Sequence, residues 1–208
     1  MDETVKGKPG IYYGWYIVFT TMFLALVTTG ARSSFGIFII PLEDEFGWSR
    51  FTLSIIVGTG FLVNGLSQPI VGHYFDRFDG RKIILAGLLV MGVATALLSQ
   101  THSFWFMFLI FGFVISIGMS GPSITNTMAL LGKWFRRKRA TAMGINVAGA
   151  SIGGLLLVPF GQYLLDATNW RVTWVAFGLL LLVLALPLAY IFIRNHPSEK
   201  GLQPDGDT

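Results

Sequence analysis

Cysteine is absent from all 208 residues, and only 12% of them are charged. The first absence excludes disulfides and thiolate metal sites. The second excludes an ordinary soluble domain, of which about a quarter is charged. Acids are scarcer still in the apolar runs, which contain none of the eleven Asp and Glu residues. His73, His102 and His196 lie at the ends of runs or between them, without partners at metal-ligand spacing. An intramembrane protease, a redox enzyme or a haem protein needs paired acids, a Ser/His pair, metal ligands or histidines inside the apolar segments. None is present, so the chain is not expected to be an enzyme, and no cofactor or metal is expected.

What remains is hydrophobic. The chain is 53% apolar, with mean hydropathy +0.63. A membrane-crossing helix needs about 20 mainly apolar residues. Six segments qualify: 14–41, 51–74, 83–100, 104–131, 141–165 and 172–193. The first is too long for a signal peptide and has no small-residue cleavage site after it. The expected fold is therefore an all-α membrane protein with six transmembrane helices. Residues 1–194 form the bundle, and 195–208, polar and rich in proline and glycine, read as the start of a flexible cytoplasmic linker.

Charge sets the orientation. With the N-terminus inside, the cytoplasmic segments hold Lys6, Lys8, Arg77, Arg81, Lys82, Lys133, Arg136, Arg137, Lys138, Arg139, Arg194 and Lys200. Only Arg50 and Arg171 lie in outer loops, and Arg32 lies within a span. This positive-inside bias puts both termini in the cytoplasm and the chain in the cytoplasmic (inner) membrane. The pI near 9.5 follows from the same asymmetry. The run from Lys133 to Arg139 is accordingly a topology anchor that can touch anionic lipid head groups, not a nucleic-acid patch.

Between the second and third spans the chain reads Gly72-His-Tyr-Phe-Asp76-Arg77-Phe-Asp79-Gly80-Arg81-Lys82. The loop resembles the signature between the second and third helices of major facilitator transporters. Gly72, Asp76, Arg77, Gly80, Arg81 and Lys82 match it, and Asp79 stands where the family usually has glycine. A second similarity is internal. Pro69, Gly72, Tyr74 and Asp76 recur in order as Pro159, Gly161, Tyr163 and Asp166, at the ends of the second and fifth spans. One end lies inside and the other outside, as an inverted 3+3 repeat requires. By resemblance the chain is half of a 12-helix major facilitator fold. Its expected partners are the lipid bilayer and a missing C-terminal six-helix half or a second copy of itself.

Three segments are similar to the monocarboxylate and oxalate–formate branch of that family. The first span opens with Tyr13-Gly14-Trp15 and continues through Arg32-Ser-Ser-Phe-Gly to Glu43-Asp-Glu-Phe-Gly-Trp48. Arg32 falls where animal members of the branch carry lysine. The start of the fifth span, Gly132-Lys-Trp-Phe-Arg-Arg-Lys-Arg, and Pro197-x-x-x-Gly-Leu-x-Pro-Asp-Gly206 match two further elements. The Gly-Pro element of drug–proton antiporters in the fifth helix is missing, as is the arginine often found in the fourth helix of proton-coupled members. The resemblance implies a secondary active transporter of small organic anions working by alternating access. A major facilitator for another small solute, a self-assembling half-transporter and a non-functional half stay open as alternatives. An aquaporin-type channel would need two Asn-Pro-Ala loops, which are absent.

Arg32 is the only ionisable side chain well inside a span, and placing arginine there costs about 2.5–3.5 kcal/mol on insertion scales. At about 1.5 Å per residue it lies roughly 14 Å below Pro41. Two readings are open: snorkelling to the outer head groups, or a fixed cation that grips a carboxylate with two hydrogen bonds. Thr28 shares its helical face. Ser123, Asn126 and Asn146 are the other candidate substrate contacts, while Asn64 and Gln68 are equally readable as interhelical glue. Gly121-Pro122 is expected to kink the fourth span. The first, second, fourth and fifth spans carry the polar residues and should line the interior; the third and sixth, almost purely aliphatic, should face lipid. By resemblance the signature loop is a latch, in which Asp76, Arg77, Arg81 and Lys82 hold the outward-open state through contacts with the other half.

Overall fold

The computed structural model describes residues 12–206, so Lys6, Lys8 and positions 207–208 lie outside the described residues. Six helices long and apolar enough to cross a membrane run Tyr13–Phe46, Arg50–Arg77, Gly80–Gln100, Phe104–Trp134, Arg139–Ala167 and Trp170–Phe192. The described residues contain no strand. The helices start within three residues of the apolar runs, and four of them have a polar cap at that start. Ser49, Asp79, Ser103 and Asn169 each accept a backbone N–H from the first turn of the helix that follows. Such a cap satisfies a donor that would otherwise have no partner, which is worth about 1 kcal/mol.

The third span ends in a 3-10 turn at Leu98–Gln100, and three others depart from a continuous α-helix in their interior. The first tightens into a 3-10 turn at Ser34–Phe38, directly after Arg32. The fourth and sixth contain π-turns at Ile110–Ile115 and Leu180–Ala185. The expected kink at Pro122 is a full break: one helix ends at Ser120 and the next starts at Ile124. Pro69 and Pro159, by contrast, sit inside uninterrupted helices near their ends. Asp76 and Asp166 each stand one residue before the last of those helices.

The first and fifth spans come closest. A Cβ on Gly153 would collide with the Leu26 carbonyl, one on Gly149 with the Met22 carbonyl, and one on Gly30 would stand 2.6 Å from the Gly153 carbonyl. Without a hydrophobic effect between helices in lipid, backbone-to-backbone packing of this kind is what holds them together. Many polar residues of the first, second, fourth and fifth spans turn inward, with Thr28, Asn64, Ser116, Ser120, Asn126 and Asn146 buried, whereas Ser54, Thr125 and Ser151 are exposed. The third span packs on the sixth, whose Leu181 and Leu182 stand beside Gly92, and keeps Leu89, Val90, Val93 and Leu97 exposed. Of its most apolar stretch 44% is buried, against 17% and 22% for the second and fifth spans. Those two carry the largest uncovered apolar faces, with Phe61, Leu66, Ile70, Leu155 and Tyr163 exposed.

The two ends are closed differently. At the end opposite the basic loops, Glu45 accepts from Trp170 Nε1 (2.7 Å) and from both terminal nitrogens of Arg171 (3.0 and 2.6 Å). Arg50 pairs with Glu43 at 3.2 Å. The two bases on the sparsely charged side are therefore neutralised by acids of the first span.

At the basic end the residues after the sixth span fold back instead of leaving as a flexible linker. Trp134 donates its indole N–H to the Arg194 carbonyl (3.0 Å), and the Tyr13 hydroxyl donates to Phe192. The Tyr12 hydroxyl bridges the carbonyls of Trp134 and Gln203. Pro197 is buried, and Leu202 packs against the core. Asp205 Oδ2 accepts the N–H groups of Arg137 (2.8 Å) and Arg136 (2.9 Å), just ahead of the fifth span. Those N–H groups hold its carboxyl below the ordinary carboxylate range, Arg137 contributing most. A carboxyl with a lowered folded pKa stabilises above its unfolded pKa and loses that contribution as pH falls through the lowered value. Docking of this segment is therefore expected to persist at neutral pH and to fade only in acid. Asp205→Asn should release it, seen as faster trypsin cleavage after Lys200 with the melting temperature of the bundle unchanged. Equal cleavage rates would show that the carboxylate does not hold the segment.

Candidate functional site

Arg32 lines a groove of about 480 Å³ between the first and second spans. The walls are Ser33, Phe35, Gly36 and Ile39 from the 3-10 region of the first span, and Leu53, Ser54, Val57, Gly58 and Phe61 from the second. Gly36 and Gly58 face open space, and their lack of side chains widens the groove. The guanidinium carbon lies 3.9 Å from the centroid of the Phe61 ring, where cation–π attraction partly replaces hydration. One terminal nitrogen, NH1, reaches Asn64 Oδ1 at 3.5 Å, the outer limit for a hydrogen bond, and Met119 Sδ at 3.3 Å. The other, NH2, is buried without a hydrogen-bond partner. Arg32 thus sits in the wall of an apolar groove with part of its donor capacity unused, and among the described residues no carboxylate is paired with it.

Asn64 connects this cation to the fourth span. Its amide nitrogen donates to the Ser116 carbonyl (2.9 Å) and to Ser120 Oγ (3.0 Å). Gln68 Nε2 approaches the same Oδ1 at 3.4 Å, and Thr125 Oγ1 lies 3.5 Å from Gln68 Oε1. A polar line therefore runs from the first span through the second to the fourth.

The other sequence candidates lie elsewhere. Thr28 is buried one turn below Arg32 and donates its hydroxyl to the Leu24 carbonyl. Ser123 caps the second half of the fourth span by accepting the Asn126 N–H. Asn126 donates to the carbonyls of Ser120 (2.9 Å) and Gly121 (3.1 Å), which the break at Pro122 leaves unpaired. Asn146 is fully buried and donates to Thr127 Oγ1 at 2.9 Å. None of these four lines the Arg32 groove. The structure brings to Arg32 instead Phe61, Met119 and Asn64. The first two carry no polar signal, and their proximity depends on which faces of three spans meet.

The signature loop divides into two sets. Asp76, Arg77 and Lys82 are exposed at the basic end. Arg81 is committed within the bundle, donating to the Tyr190 carbonyl with its guanidinium 4.9 Å from the Tyr190 ring. Gly80 is required by packing, because a Cβ there would stand 2.6 Å from the buried Phe75 ring, whereas Gly72 meets nothing closer than Asn126 at 4.0 Å. Asp79 caps the third span through the Arg81 N–H (3.1 Å) and accepts from Asn195 Nδ2. The acid in the glycine position is thus a cap and a tether for the segment after the sixth span.

Six apolar spans, a signature loop at one end and an arginine-lined groove among them are the features of a multi-pass membrane transporter. The profile of the major facilitator superfamily matches residues 21–208, and the chain belongs to that family. It is 27% identical to the MFS-type transporter YcxA of Bacillus subtilis, over 88% of this chain and 45% of the relative. It is 28% identical to monocarboxylate transporter 13 of Bos taurus, over 85% and 40%. Among solved structures it resembles a bacterial homolog of the human lysosomal transporter Spinster in an inward-facing, unoccupied conformation. The TM-score is 0.77 at 19% identity, over 92% of this chain and 44% of that one. The chain spans less than half the length of each.

Proposed function

We propose that this chain is the N-terminal half of a secondary active transporter that moves small organic anions, of the monocarboxylate or oxalate/formate type, by alternating access. It is not an enzyme. The observation that carries the reading is the Arg32 guanidinium in the wall of the groove, with NH2 unpartnered. A fixed cation there attracts carboxylates and offers them a planar pair of donors. Snorkelling is the weaker reading, since the side chain lies against Phe61, Asn64 and Met119 of neighbouring spans. Similarity to monocarboxylate transporters supports the anion class. The uncovered apolar faces of the second and fifth spans suit a further six-helix bundle or a second copy packing there. Thr28, Ser123, Asn126 and Asn146 support the site from behind, as the scaffold of the helices that surround it. Exposed Asp76, Arg77 and Lys82 are free to contact the other half as a latch. Gly80 allows close passage of the loop over Phe75, Gly72 precedes it in the second span, and Arg81 fixes its far side. No acid lies at the groove, so a carboxylate proton carrier, if coupling uses one, belongs to the other half.

Both termini lie in the cytoplasm of a cytoplasmic-membrane protein in this reading. A single cysteine introduced at position 136 should react with an impermeant maleimide only from the cytosolic side, and one at position 102 only from outside. Reversed labelling would overturn the orientation.

The anion reading is tested by uptake in liposomes with the full-length protein that carries this chain. Arg32→Gln should insert and fold, yet lose most carboxylate uptake. Losing one partner of a buried charge-assisted contact costs about 2–5 kcal/mol, so binding weakens at least tenfold. Arg32→Lys should keep partial activity, because charge survives without the two-pronged geometry. Wild-type uptake by Arg32→Gln would assign the anion entirely to the other half.

A further inference from the structure

We infer that Asn64 is a positioning residue for Arg32, fixing which edge of the guanidinium a substrate carboxylate can reach. The inference rests on the reading of Arg32 as the anion-binding cation. Asn64 is 8% exposed, and its amide can be oriented without ambiguity. The Ser116 carbonyl can only accept, so the amide nitrogen must face it, 2.9 Å away. The same nitrogen donates to Ser120 Oγ at 3.0 Å. With both amide protons spent on the fourth span, the oxygen has to point the other way, toward NH1 of Arg32 and Nε2 of Gln68. A neutral amide oxygen at this place orients a guanidinium without discharging it.

The other contacts act in the same direction. The Phe61 ring covers one flat face of the guanidinium, so the ring plane is set by packing. Met119 sulfur takes a second weak contact with NH1. NH1 is thus the nitrogen held by the protein, and NH2 is the one left without an acceptor. NH2 is also shut off from solvent in this conformation, so a carboxylate meets the edge that carries it, with Nε as the second donor, only once the groove opens. This geometry is imposed from the fourth span: the Ser120 hydroxyl that fixes Asn64 belongs to the last residue before the break at Gly121–Pro122. A movement of that break shifts Ser120, then Asn64, then the edge offered to the anion.

The isosteric change Asn64→Asp is the sharpest test, since it keeps shape but places a carboxylate opposite NH1. That acid would serve as an internal counter-ion and compete with the substrate. Uptake of radiolabelled lactate and oxalate by the full-length protein in liposomes should show KM raised about tenfold or more, with kcat changed less. Should the aspartate variant fail to fold, Asn64→Ser, which removes the directed amide oxygen, is expected to raise KM severalfold in protein that still inserts and folds, with a lowered melting temperature because its two bonds to the fourth span are lost. A residue that acts only through Arg32 should also lose its effect when the guanidinium is gone. In an Arg32→Lys background, Asn64→Ser should change KM no further. Independent, additive effects of the two changes would overturn the positioning role, as would wild-type KM in both Asn64 variants. If instead Arg32→Gln itself transports normally, the anion reading fails and the inference with it. Normal Asn64 variants beside a dead Arg32→Gln would remove the inference alone.

Discussion

A charged guanidinium inside a hydrophobic bundle has to be compensated locally, because hydrocarbon offers it neither water nor counter-ion. In this chain the compensation is incomplete by design of the site. Phe61 supplies an aromatic face, Asn64 an amide oxygen and Met119 a sulfur, none of which carries negative charge. A carboxylate beside it would have neutralised Arg32. The neutral partners keep the cation in place and leave its charge uncancelled.

The rest of the bundle follows from a related constraint, that backbone polar groups in a bilayer must be satisfied within the protein. Where the helices are regular this costs nothing. Where the fourth span breaks at Gly121–Pro122, the freed carbonyls of Ser120 and Gly121 are recovered by Asn126, and the new helix start is capped by Ser123. The break can therefore exist in apolar surroundings, and it stands beside the Asn64 contact that orients Arg32. Close glycine packing of the first span on the fifth holds the framework in which these small displacements are felt.

Much of this was legible in the sequence, and for identifiable reasons. Apolar runs of span length and a lopsided distribution of lysine and arginine are properties of local composition, so the number and the approximate limits of the helices follow from them. The signature loop is contiguous, so it could be read directly. Arg32 was visible because charge inside an apolar run is rare. Its surroundings were not: Phe61 and Met119 look like ordinary lipid-facing residues until the faces of three spans are brought together. Ser123 and Asn126 could be read from sequence as solute contacts or as partners of the helix's own backbone, and the structure shows the backbone bonds that they make. The segment after the sixth span has the composition of a linker, yet Pro197, Leu202 and Asp205 each find a partner on the bundle. Asp79, a departure from the family pattern, is explained by Asn195, a residue 116 positions away.

The central claim is that Arg32 presents an uncancelled positive charge to a solute path within the membrane. Chemical modification of that side chain by an arginine-selective dicarbonyl, read by mass spectrometry on protein in sealed liposomes, tests it most directly. The account predicts an adduct on Arg32 that forms from the aqueous phase and is suppressed by a transported carboxylate but not by a neutral analogue of equal size. An Arg32 that stays unmodified, or that reacts equally with and without carboxylate, would contradict it.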